Sequence, residues 1–564
     1  MKKHNNLYTS EFEKIDLSKP LSEHPFPQFK RDSYFSLNGK WEYKITKDIN
    51  DLNNFSNNII VPFPIESTAS SVNKRLQKNQ YIIYRKSFDL PNNFIKKNTF
   101  INFIGVDQEY FIILNNKKYG QITPMLLPSK VDVSDDIKEK NNELIVIVKD
   151  NLKYEYPLGK QSKKPKGIFY TPFSGIYYPV YIESIEDNYI ESIKIDTDQD
   201  TLRLTVNSDS KNYNLIIKEK GKIIHNINYN EKDILIKIEN PIKWSIDNPF
   251  LYTLEISTKT DKIYSYFGLK EIKMVNDFVY LNNQKIFLNG LLSQGYYPEG
   301  IITPPSYKLL KDEILKIKDL GFNTIREHIK FEVPYFYYLC DKYGILVLQD
   351  FLNNGKYNFL SLTALPTIGF KNKSDKKMNK NKKQRNNFIY CAEKLINQLY
   401  NHPCIIGYTI FNEGWGQFNS DNIYEYFKTK YPHLLFDSTS GWFKQNISDF
   451  NSEHLYFKNI DKIKESKKPI FLSEFGALCY KEINHVYSNK KVFAYKYFNT
   501  REALENAYLT LYNEKIIPYK DKLTGIIYTQ LSDIEEEDNG IFSYDRKIIK
   551  INEQLIKNIN EKLK

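Results

Sequence analysis

The sequence predicts a multidomain protein in which two β-sandwiches are followed by a C-terminal (β/α)8 TIM barrel. Three observations favour this fold class. The chain has 564 residues, too many for one ordinary domain. Its first half shows short apolar runs and turn signals without a lasting helical period, and its second half alternates strand-like with helical runs. We expect domains at residues 1–186, 187–274 and 275–564.

The first domain is predicted to be all-β. Its clearest strand-like runs are Tyr81–Phe88, 110–114 and 143–150. Asn115 and Asn116 follow the second run and suit a tight hairpin turn. Residues 188–274 repeat this pattern on a smaller scale, with runs at 202–206 and 251–256. Short strands separated by turns are typical of sandwiches, so we expect two of them in succession.

The alternation of strand and helix starts near residue 275. We expect eight barrel strands, at residues 286–290, 323–328, 345–350, 405–413, 434–438, 454–457, 470–474 and 525–530. Helical periodicity is clearest at residues 307–320, 333–342, 388–400 and 552–564. Eight strand and helix units in about 290 residues suit a closed barrel, whose functional site lies at the carboxyl ends of the strands.

Two of these strands end in a glutamate followed, directly or one residue later, by glycine. Residues 408–416 read YTIFNEGWG and residues 469–477 read PIFLSEFGA, which place Glu413 on strand four and Glu474 on strand seven. Strands four and seven face each other across a barrel mouth, so one pocket can receive both carboxylates. Hydrolysis of a glycosidic bond requires such a pair of carboxylates. The alternative for either glutamate alone is a salt bridge or a carboxylate at a helix start.

Composition narrows the function classes. The net charge is +12, which suggests either a nucleic-acid partner or a Lys- and Asn-rich surface. We favour the surface interpretation because no basic helix or aromatic-basic module is present, and we expect the basic stretch 371–385 to be a solvated loop. The four cysteines have neither zinc nor disulfide spacing. With no apolar stretch after the N-terminus and no membrane span, we expect a cytoplasmic protein that binds neither membrane nor nucleic acid.

Short landmarks along the chain resemble those of glycoside hydrolase family 2, which includes β-galactosidases, β-glucuronidases and β-mannosidases. The landmarks are LNGKW at 37–41, YRKSF at 84–88, GIYYPV at 175–180, NG at 289–290, GFNTIR at 321–326, DKYGILV at 341–347, FNEG at 411–414 and SEFGA at 473–477. The resemblance covers essentially the whole chain. It implies a sugar-binding-like jelly roll, an immunoglobulin-like sandwich and a catalytic barrel.

The resemblance also implies roles for individual residues. Glu413 matches the family's general acid/base and Glu474 its nucleophile, in a mechanism that retains anomeric configuration. Asn412 is expected to bond the sugar 2-hydroxyl. Arg326 is expected either to donate to Glu474 or to form a structural ion pair.

Further strand-end residues are candidates for substrate binding. His328 could bond sugar hydroxyls or be a buried structural histidine, and it stands one place away from the family's commoner Arg-x-Ser-His-Tyr-Pro pattern. Asp350 could hold sugar hydroxyls or Arg326, and Trp415 could stack on a sugar or simply pack. The remaining candidates are His454, Tyr456, Gln530 and Asp533, with residues 294–297 as a pocket wall.

The sugar is the least determined part of the prediction. Family members that act on glucuronides hold the uronate with an Asn-x-Lys motif after strand eight, where this chain reads IEEEDNG at 534–540. Acidic side chains would repel a uronate, so we expect an exo-acting hydrolase of neutral β-linked sugars, with β-galactosides favoured. We find no clear metal-ligand cluster and expect no cofactor. The alternatives are a β-glucuronidase, β-mannosidase or α-arabinosidase of the same family, or a non-catalytic carbohydrate-binding protein; a homo-oligomer is left open.

Overall fold

The structure, a computed structural model, describes residues 7–367, 374–456, 466–488 and 496–564. Two antiparallel β-sandwiches precede an eight-stranded parallel barrel, which confirms the predicted fold class. Within the described residues, no helix is both long enough and apolar enough to span a membrane.

The first sandwich packs a six-stranded sheet, in the order β3-β2-β4-β10-β7-β8, against a four-stranded sheet, in the order β1-β12-β5-β9. Its strands are β1 (Phe35–Ser36), β2 (Gly39–Thr46), β3 (Asn57–Val61), β4 (Tyr81–Phe88), β5 (Asn98–Phe103), β6 (Val106–Asp107), β7 (Glu109–Leu114), β8 (Lys117–Lys118), β9 (Ser129–Asp132), β10 (Asn142–Lys149), β11 (Gly175–Ile176) and β12 (Val180–Ile185). Asn115 and Asn116 both have positive φ, as a two-residue hairpin turn of type I′ requires. The predicted hairpin is therefore present.

The second sandwich packs the sheet β13-β14-β17 against the sheet β16-β15-β18-β19. Its strands are β13 (Ile190–Thr197), β14 (Thr201–Ser208), β15 (Tyr213–Glu219), β16 (Lys222–Tyr229), β17 (Asp233–Lys237), β18 (Tyr252–Ser257) and β19 (Lys262–Phe267). A small meander follows, formed by β20 (Ile272–Val275), β21 (Phe278–Leu281) and β22 (Gln284–Lys285). The boundary expected after residue 186 lies between β12 and β13, and the boundary expected after residue 274 falls inside β20.

The barrel contains all eight predicted strands. They are β23 (Leu288–Ser293), β24 (Thr324–Glu327), β25 (Leu346–Asp350), β26 (Ile405–Asn412), β27 (Leu435–Ser440), β28 (Ser452–Leu455), β29 (Ile470–Gly476) and β32 (Leu523–Thr529). Almost every residue of these strands is buried, as expected for parallel strands covered on both faces. Strand six was expected at 454–457, and residue 457 lies outside the described residues.

Several α-helices and a short strand pair accompany the barrel strands. The helices are α1 (Tyr307–Asp319), α2 (Pro334–Tyr343), α3 (Leu365–Thr367), α4 (Lys382–Leu399), α5 (Ser420–Lys430), α6 (Arg501–Lys515) and α7 (Glu553–Leu563), and the strand pair is β30 (Leu478–Tyr480) with β31 (Lys496–Phe498). The Asn381 side chain caps α4 by accepting from the amides of Lys383 and Gln384. The expectation of a solvated loop at 371–385 is therefore wrong from Lys382 onward, where the chain is helical.

The barrel is nearly closed. In its sheet order, β27-β26-β25-β24-β23-β32-β29-β28, the two end strands are consecutive in the chain. Ser440 Oγ on β27 and His454 Nε2 on β28 are 2.8 Å apart, so a side-chain hydrogen bond joins these ends at the carboxyl edge. This edge is where the predicted catalytic residues lie.

Candidate active site

A cavity of about 1210 Å³ opens at the carboxyl ends of the barrel strands. The barrel supplies one side of its wall, and residues 152–169 of the N-terminal sandwich supply the other. Pockets of this size and position are the usual substrate sites of barrel enzymes. The first sandwich therefore shapes the site as well as flanking it.

The structure brings nine of the eleven predicted site residues to this place. Those that line the cavity are His328, Asn412, Glu413, Trp415, Tyr456 and Glu474. Those that lie beneath them, with direct contacts to the lining residues, are Arg326, Asp350 and His454. Gln530 and Asp533 are the two that the structure does not bring to the cavity.

The two glutamates face each other within reach of one small group. Glu413 follows directly after β26 with φ of 51°, and Glu474 lies near the end of β29. One carboxylate oxygen of each residue, together with a ring nitrogen of His454, fall within 4.8 Å of one another. A non-glycine residue in the left-handed region is uncommon and is often found at functional sites. This spacing suits a pair of carboxylates that act on a single bond from two sides.

Glu474 is surrounded by hydrogen-bond donors and positive charge. Its Oε1 accepts from Arg326 Nη1 at 3.2 Å, and its Oε2 accepts from the hydroxyl of Tyr456. Burial alone would raise the pKa of Glu474, but the positive charges of His454 and Arg326, together with the neighbouring His328 ring and the Tyr456 hydrogen bond, outweigh it and lower the pKa to about 2. Glu474 is therefore an ionised carboxylate at neutral pH, as a nucleophile must be.

Arg326 organises the floor of the site. Its side chain is fully buried, and it donates to both oxygens of Asp350 at 2.9 and 3.0 Å and to the Ser473 carbonyl at 2.9 Å. It also donates to Asn412 Oδ1 at 2.9 Å. Because Arg326 occupies the amide oxygen of Asn412, the Asn412 NH₂ group is left as a donor at the cavity surface. Arg326 thus forms a structural ion pair with Asp350 and also donates to Glu474, so both contacts that were predicted as alternatives are present.

We expect Arg326→Met to destabilise the protein by about 3–5 kcal/mol, because it leaves the buried carboxylates of Asp350 and Glu474 without their cation. Urea unfolding followed by circular dichroism would measure this loss. Arg85→Met is a suitable control, since Arg85 pairs with Glu42 at 2.8 Å but is partly exposed. Equal and small losses in the two variants would contradict a structural role for Arg326.

His454 lies between the two glutamates. Its Nδ1 is 2.9 Å from Glu413 Oε1, and its Nε2 is 3.6 Å from Glu474 Oε1. Burial opposes a charged ring, but the two carboxylates outweigh burial and raise the pKa of His454 above its ordinary value. Gly441 makes this contact sterically feasible: a Cβ at Gly441 would lie 3.2 Å from His454 Nδ1 and 3.3 Å from Glu413 Cγ, and its φ of 95° favours glycine.

His328 is a neutral histidine at the cavity surface. Burial, followed by the positive charge of Lys160, lowers its pKa. Its Nδ1 is 2.6 Å from Asp350 Oδ2, so the Nδ1 proton is donated to this carboxylate and Nε2 is left as an acceptor. Asp350 itself is ionised, because Arg326 and His328 lower its pKa to about 2 against the effect of burial. Asp350 therefore orients two side chains of the site and is itself buried.

Aromatic rings form one wall of the cavity. Trp415 packs edge-on against Phe169 and Tyr357, with ring centroids 5.5 and 5.7 Å apart, and its Nε1 donates to the Gly355 carbonyl. Trp442, which follows β27, also lines the cavity and lies 5.7 Å from the ring of His454. Such rings suit the apolar faces of sugars.

Sequence reasoning missed several of these lining residues. Trp442 carries a local signal, since Gly441-Trp442 follows a strand as Gly414-Trp415 does. Lys160, Phe169 and the rest of residues 152–169 carry none, because only the packing of the sandwich on the barrel brings them to the cavity.

Gln530 and Asp533 serve the loop after strand eight. Gln530 accepts from Gln294 at 2.7 Å and donates to Asn539 at 2.7 Å, and both contacts are buried. Asp533 Oδ1 pairs with the fully buried Lys550 at 2.6 Å. The expectation that Gln530 and Asp533 bind substrate is therefore not supported, because neither side chain reaches the cavity.

Only some of the acidic side chains in residues 534–540 face the cavity. Glu536 and Glu537 line it, and Glu537 accepts a hydrogen bond from Tyr170. Asp538 pairs with Lys481. Glu535 accepts from the Thr171 amide at 2.8 Å, and burial raises its pKa to about 7. Two of the four acidic residues, rather than all four, can therefore act on a substrate.

The cluster of Glu413, His454 and Glu474 has the spacing of a metal site. Its donor set does not fit one. Both ring nitrogens of His454 already have partners, Glu413 on one side and Ser440 on the other, and the raised pKa of His454 disfavours the deprotonated ring that a metal needs. A histidine can bind a metal only through a deprotonated nitrogen.

Comparison with solved structures relates this fold to known enzymes. A β-glucuronidase from an uncultured Clostridium sp. superposes with a TM-score of 0.75 at 18% identity, covering 94% of this chain and 97% of that one. A β-galacturonidase from Eisenbergiella tayi superposes with a TM-score of 0.70 at 19% identity, covering 95% and 98%. At these identities the likeness shows a shared fold.

Curated relatives are similar over part of the chain. A β-galactosidase from Staphylococcus xylosus is 28% identical over 281 residues, which are 47% of this chain and 27% of that protein. One from Thermoanaerobacterium thermosulfurigenes is 27% identical over 350 residues, which are 56% of this chain and 48% of that protein. This chain spans less than half the length of these two relatives.

Family models cover nearly the whole chain in the order of its three folded parts. The model of a glycosyl hydrolase 2 galactose-binding domain-like region matches residues 38–176, and a model of glycosyl hydrolases family 2 matches residues 184–270. The family 2 TIM barrel domain matches residues 272–554, half of the chain, and includes both glutamates. Fold, paired carboxylates and family models agree, and the chain belongs to glycoside hydrolase family 2.

Proposed function

We propose that this protein is an exo-acting, retaining β-glycosidase that uses Glu474 as nucleophile and Glu413 as general acid/base. The observation that carries the proposal is the approach of the two carboxylates to within 4.8 Å in one cavity. Retaining enzymes hold their carboxyl groups ~5–5.5 Å apart, whereas inverting enzymes need ~6.5–9.5 Å to admit a water. The short separation therefore favours direct attack and retention.

In the first step, the Glu474 carboxylate attacks the anomeric carbon and forms a glycosyl ester. Glu413, entering this step as the carboxylic acid, gives its proton to the departing oxygen, so the alcohol leaves neutral. Arg326 and Tyr456 fix the orientation of Glu474 by donating to one oxygen each. The Asn412 NH₂ group is free to donate to the sugar 2-hydroxyl, a contact that strengthens in the transition state.

In the second step, the Glu413 carboxylate takes a proton from water, and the resulting hydroxide attacks the anomeric carbon. The ester bond to Glu474 breaks and returns that residue to its carboxylate form, while Glu413 is again the acid. Negative charge thus moves from Glu474 to Glu413 and back during one turnover. His454 lies within reach of both residues and can stabilise either charge.

We favour a neutral, terminal β-linked sugar, with β-galactosides first. Glu536 and Glu537 line the cavity and disfavour an anionic sugar near them. The curated relatives named above are β-galactosidases, which supports the same choice. Residues 152–169 close one side of the barrel mouth, so we propose that the terminal sugar of the substrate enters the cavity.

A β-uronide is the second candidate, and Lys160 is the observation that favours it. Lys160 lines the cavity, lies 5.7 Å from the ring of Phe169 and is near enough to His328 to lower the pKa of that ring. A lysine at the sugar subsite could pair with a uronate carboxylate. The solved structures named above, a β-glucuronidase and a β-galacturonidase, are consistent with this choice.

A panel of nitrophenyl glycosides tests the proposal. It includes the β-galactoside, β-glucoside, β-mannoside, β-glucuronide, β-galacturonide and α-arabinoside, assayed with the wild-type protein and with Lys160→Ala. We expect turnover of a neutral β-glycoside that Lys160→Ala leaves within about threefold. Preferred turnover of a uronide that is lost in Lys160→Ala would establish the second candidate. No detectable hydrolysis of any glycoside in the panel would favour a non-catalytic carbohydrate-binding protein.

A further inference from the structure

Residues 355–362, which follow β25, are held in place by two tryptophans. Trp415 donates its indole N–H to the Gly355 carbonyl at 3.0 Å, and Trp442 donates its indole N–H to the Leu362 carbonyl at 2.8 Å. Both ends of the segment are thereby fastened, and both indole donors are occupied. Because Nε1 is the only polar atom of an indole, each tryptophan offers only ring carbons to the cavity that it lines.

The two tryptophans place this segment beside the proposed acid/base. Trp415 lies two residues after Glu413 in the chain. The ring of Trp442 is 5.7 Å from the ring of His454, whose Nδ1 is 2.9 Å from Glu413 Oε1. In the proposed reaction Glu413 gives its proton to the departing oxygen, so the leaving group lies on the Glu413 side of the sugar. The side chains around Glu413 therefore form the walls of the leaving-group subsite.

The segment adds further aromatic surface to these walls. Phe359, near its middle, lines the cavity and is 56% exposed. Tyr357 also lines the cavity, and its ring is 5.7 Å from Trp415 and 4.8 Å from Phe169 of the first sandwich. Lys356 is exposed, so its ammonium group can remain in water. A half-exposed phenylalanine in a cavity wall becomes more stable when an apolar ligand covers it.

The cavity has room for such a ligand beside the sugar. Its volume of about 1210 Å³ exceeds the range of about 300–1,000 Å³ that is typical of sites for drug-sized molecules. One sugar ring is smaller than such a molecule, so much of the cavity is open to the group attached to the sugar. A second sugar would bring hydroxyls that need hydrogen-bond partners, which the two occupied indoles cannot supply.

We propose that the aromatic side chains of segment 355–362, together with the two tryptophans that hold it, form a leaving-group subsite for a planar aromatic aglycone. The substrates are then aryl β-glycosides rather than oligosaccharides. Hydrolysis releases the free sugar and a phenol, and the proton of Glu413 ends on the phenol oxygen. This inference rests on the proposed function, because a leaving-group subsite at this place requires Glu413 to be the acid/base.

The test compares leaving groups that differ in size but hardly in chemistry. The phenyl and 2-naphthyl β-glycosides of the preferred sugar release alcohols of similar acidity, but the naphthyl group has more apolar surface. Their ratio of kcat/KM therefore measures contacts to the aglycone. We expect the wild-type protein to favour the 2-naphthyl glycoside by about tenfold. A disaccharide, in which the same sugar is β-linked to glucose, represents the oligosaccharides.

Phe359→Ala and Leu360→Ala form a matched pair of variants. Leu360 is the next residue and is 63% exposed, but it is not among the described residues that line the cavity. We expect Phe359→Ala to lower the preference for the 2-naphthyl glycoside about fivefold and Leu360→Ala to leave it unchanged. Both side chains are exposed, so both variants should fold, and circular dichroism with the melting temperature would establish this.

Binding of free 2-naphthol, followed by ligand-observed NMR, gives a readout that needs no turnover. We expect Phe359→Ala to weaken this binding about fivefold and Leu360→Ala to leave it unchanged. Three results would overturn the inference: equal kcat/KM for the two aryl glycosides, a higher kcat/KM for the disaccharide than for the 2-naphthyl glycoside, or equal behaviour of the two variants. Binding of 2-naphthol that depends on Phe359, without hydrolysis of any glycoside, would instead refute the proposed function and leave an aromatic binding site.

Discussion

Glu474→Gln is expected to lower kcat for the preferred glycoside by a factor on the order of 10⁶, the scale found when the nucleophile of another hydrolase is removed. The side chain keeps its size, but the amide cannot attack the anomeric carbon. Initial rates with a nitrophenyl glycoside would measure the effect. We expect the variant to remain folded, because the amide oxygen can still accept from Arg326 and the amide NH₂ group can donate to the hydroxyl oxygen of Tyr456.

Glu453→Gln is the control for this variant. Glu453 precedes His454 on β28, and its side chain pairs with Lys444 at 2.8 Å. We expect its activity to stay within a few-fold of the wild-type value. Labelling with a 2-deoxy-2-fluoro glycoside, which slows hydrolysis of the ester, should add one sugar to the peptide containing Glu474 and none in Glu474→Gln. Label on another residue would assign the nucleophile elsewhere.

The barrel could be predicted from sequence because its strands are buried on both faces. Runs such as residues 405–412 are apolar along almost their whole length, and the helices between the strands carry a different period. The position of Glu413 and Glu474 at the carboxyl edge follows from the same pattern. Their approach in space does not follow from it, because strands four and seven are distant in the chain and the barrel closure sets their distance.

Three other features of the fold and the site were not predicted from the sequence. Asp533 is predicted as a site residue because it closely follows strand eight, but Lys550, seventeen residues later, pairs with it inside the loop. No local sequence pattern predicts that Lys550 is the partner of Asp533. Residues 152–169 belong to the N-terminal sandwich in sequence and to the cavity wall in space. The helix start at residues 382–385 does have a sequence signal, because Asn381 is a favourable N-cap residue. The many lysines around it favoured the interpretation of this stretch as a loop.

Glu413→Ala is expected to lower kcat by about 10²- to 10⁴-fold for glycosides with poor leaving groups, the usual contribution of general acid–base catalysis. The loss should be much smaller in the first step for a dinitrophenyl glycoside, whose leaving oxygen needs no proton. The second step should then limit the rate, because no carboxylate remains to activate water. A pre-steady-state burst of dinitrophenol followed by slow turnover would be the measured sign.

Azide tests whether the missing group is the base of that second step. The space left by the side chain of Glu413, beside Gly441 and His454, admits a small anion that needs no deprotonation. Azide should therefore speed turnover of Glu413→Ala and give a β-glycosyl azide, whereas the wild-type protein and Glu474→Gln should show no such gain. An α-glycosyl azide would contradict retention. An absence of rescue, with rates equally low for good and poor leaving groups, would remove Glu413 from the acid/base role, because a lost proton donor must discriminate between leaving groups.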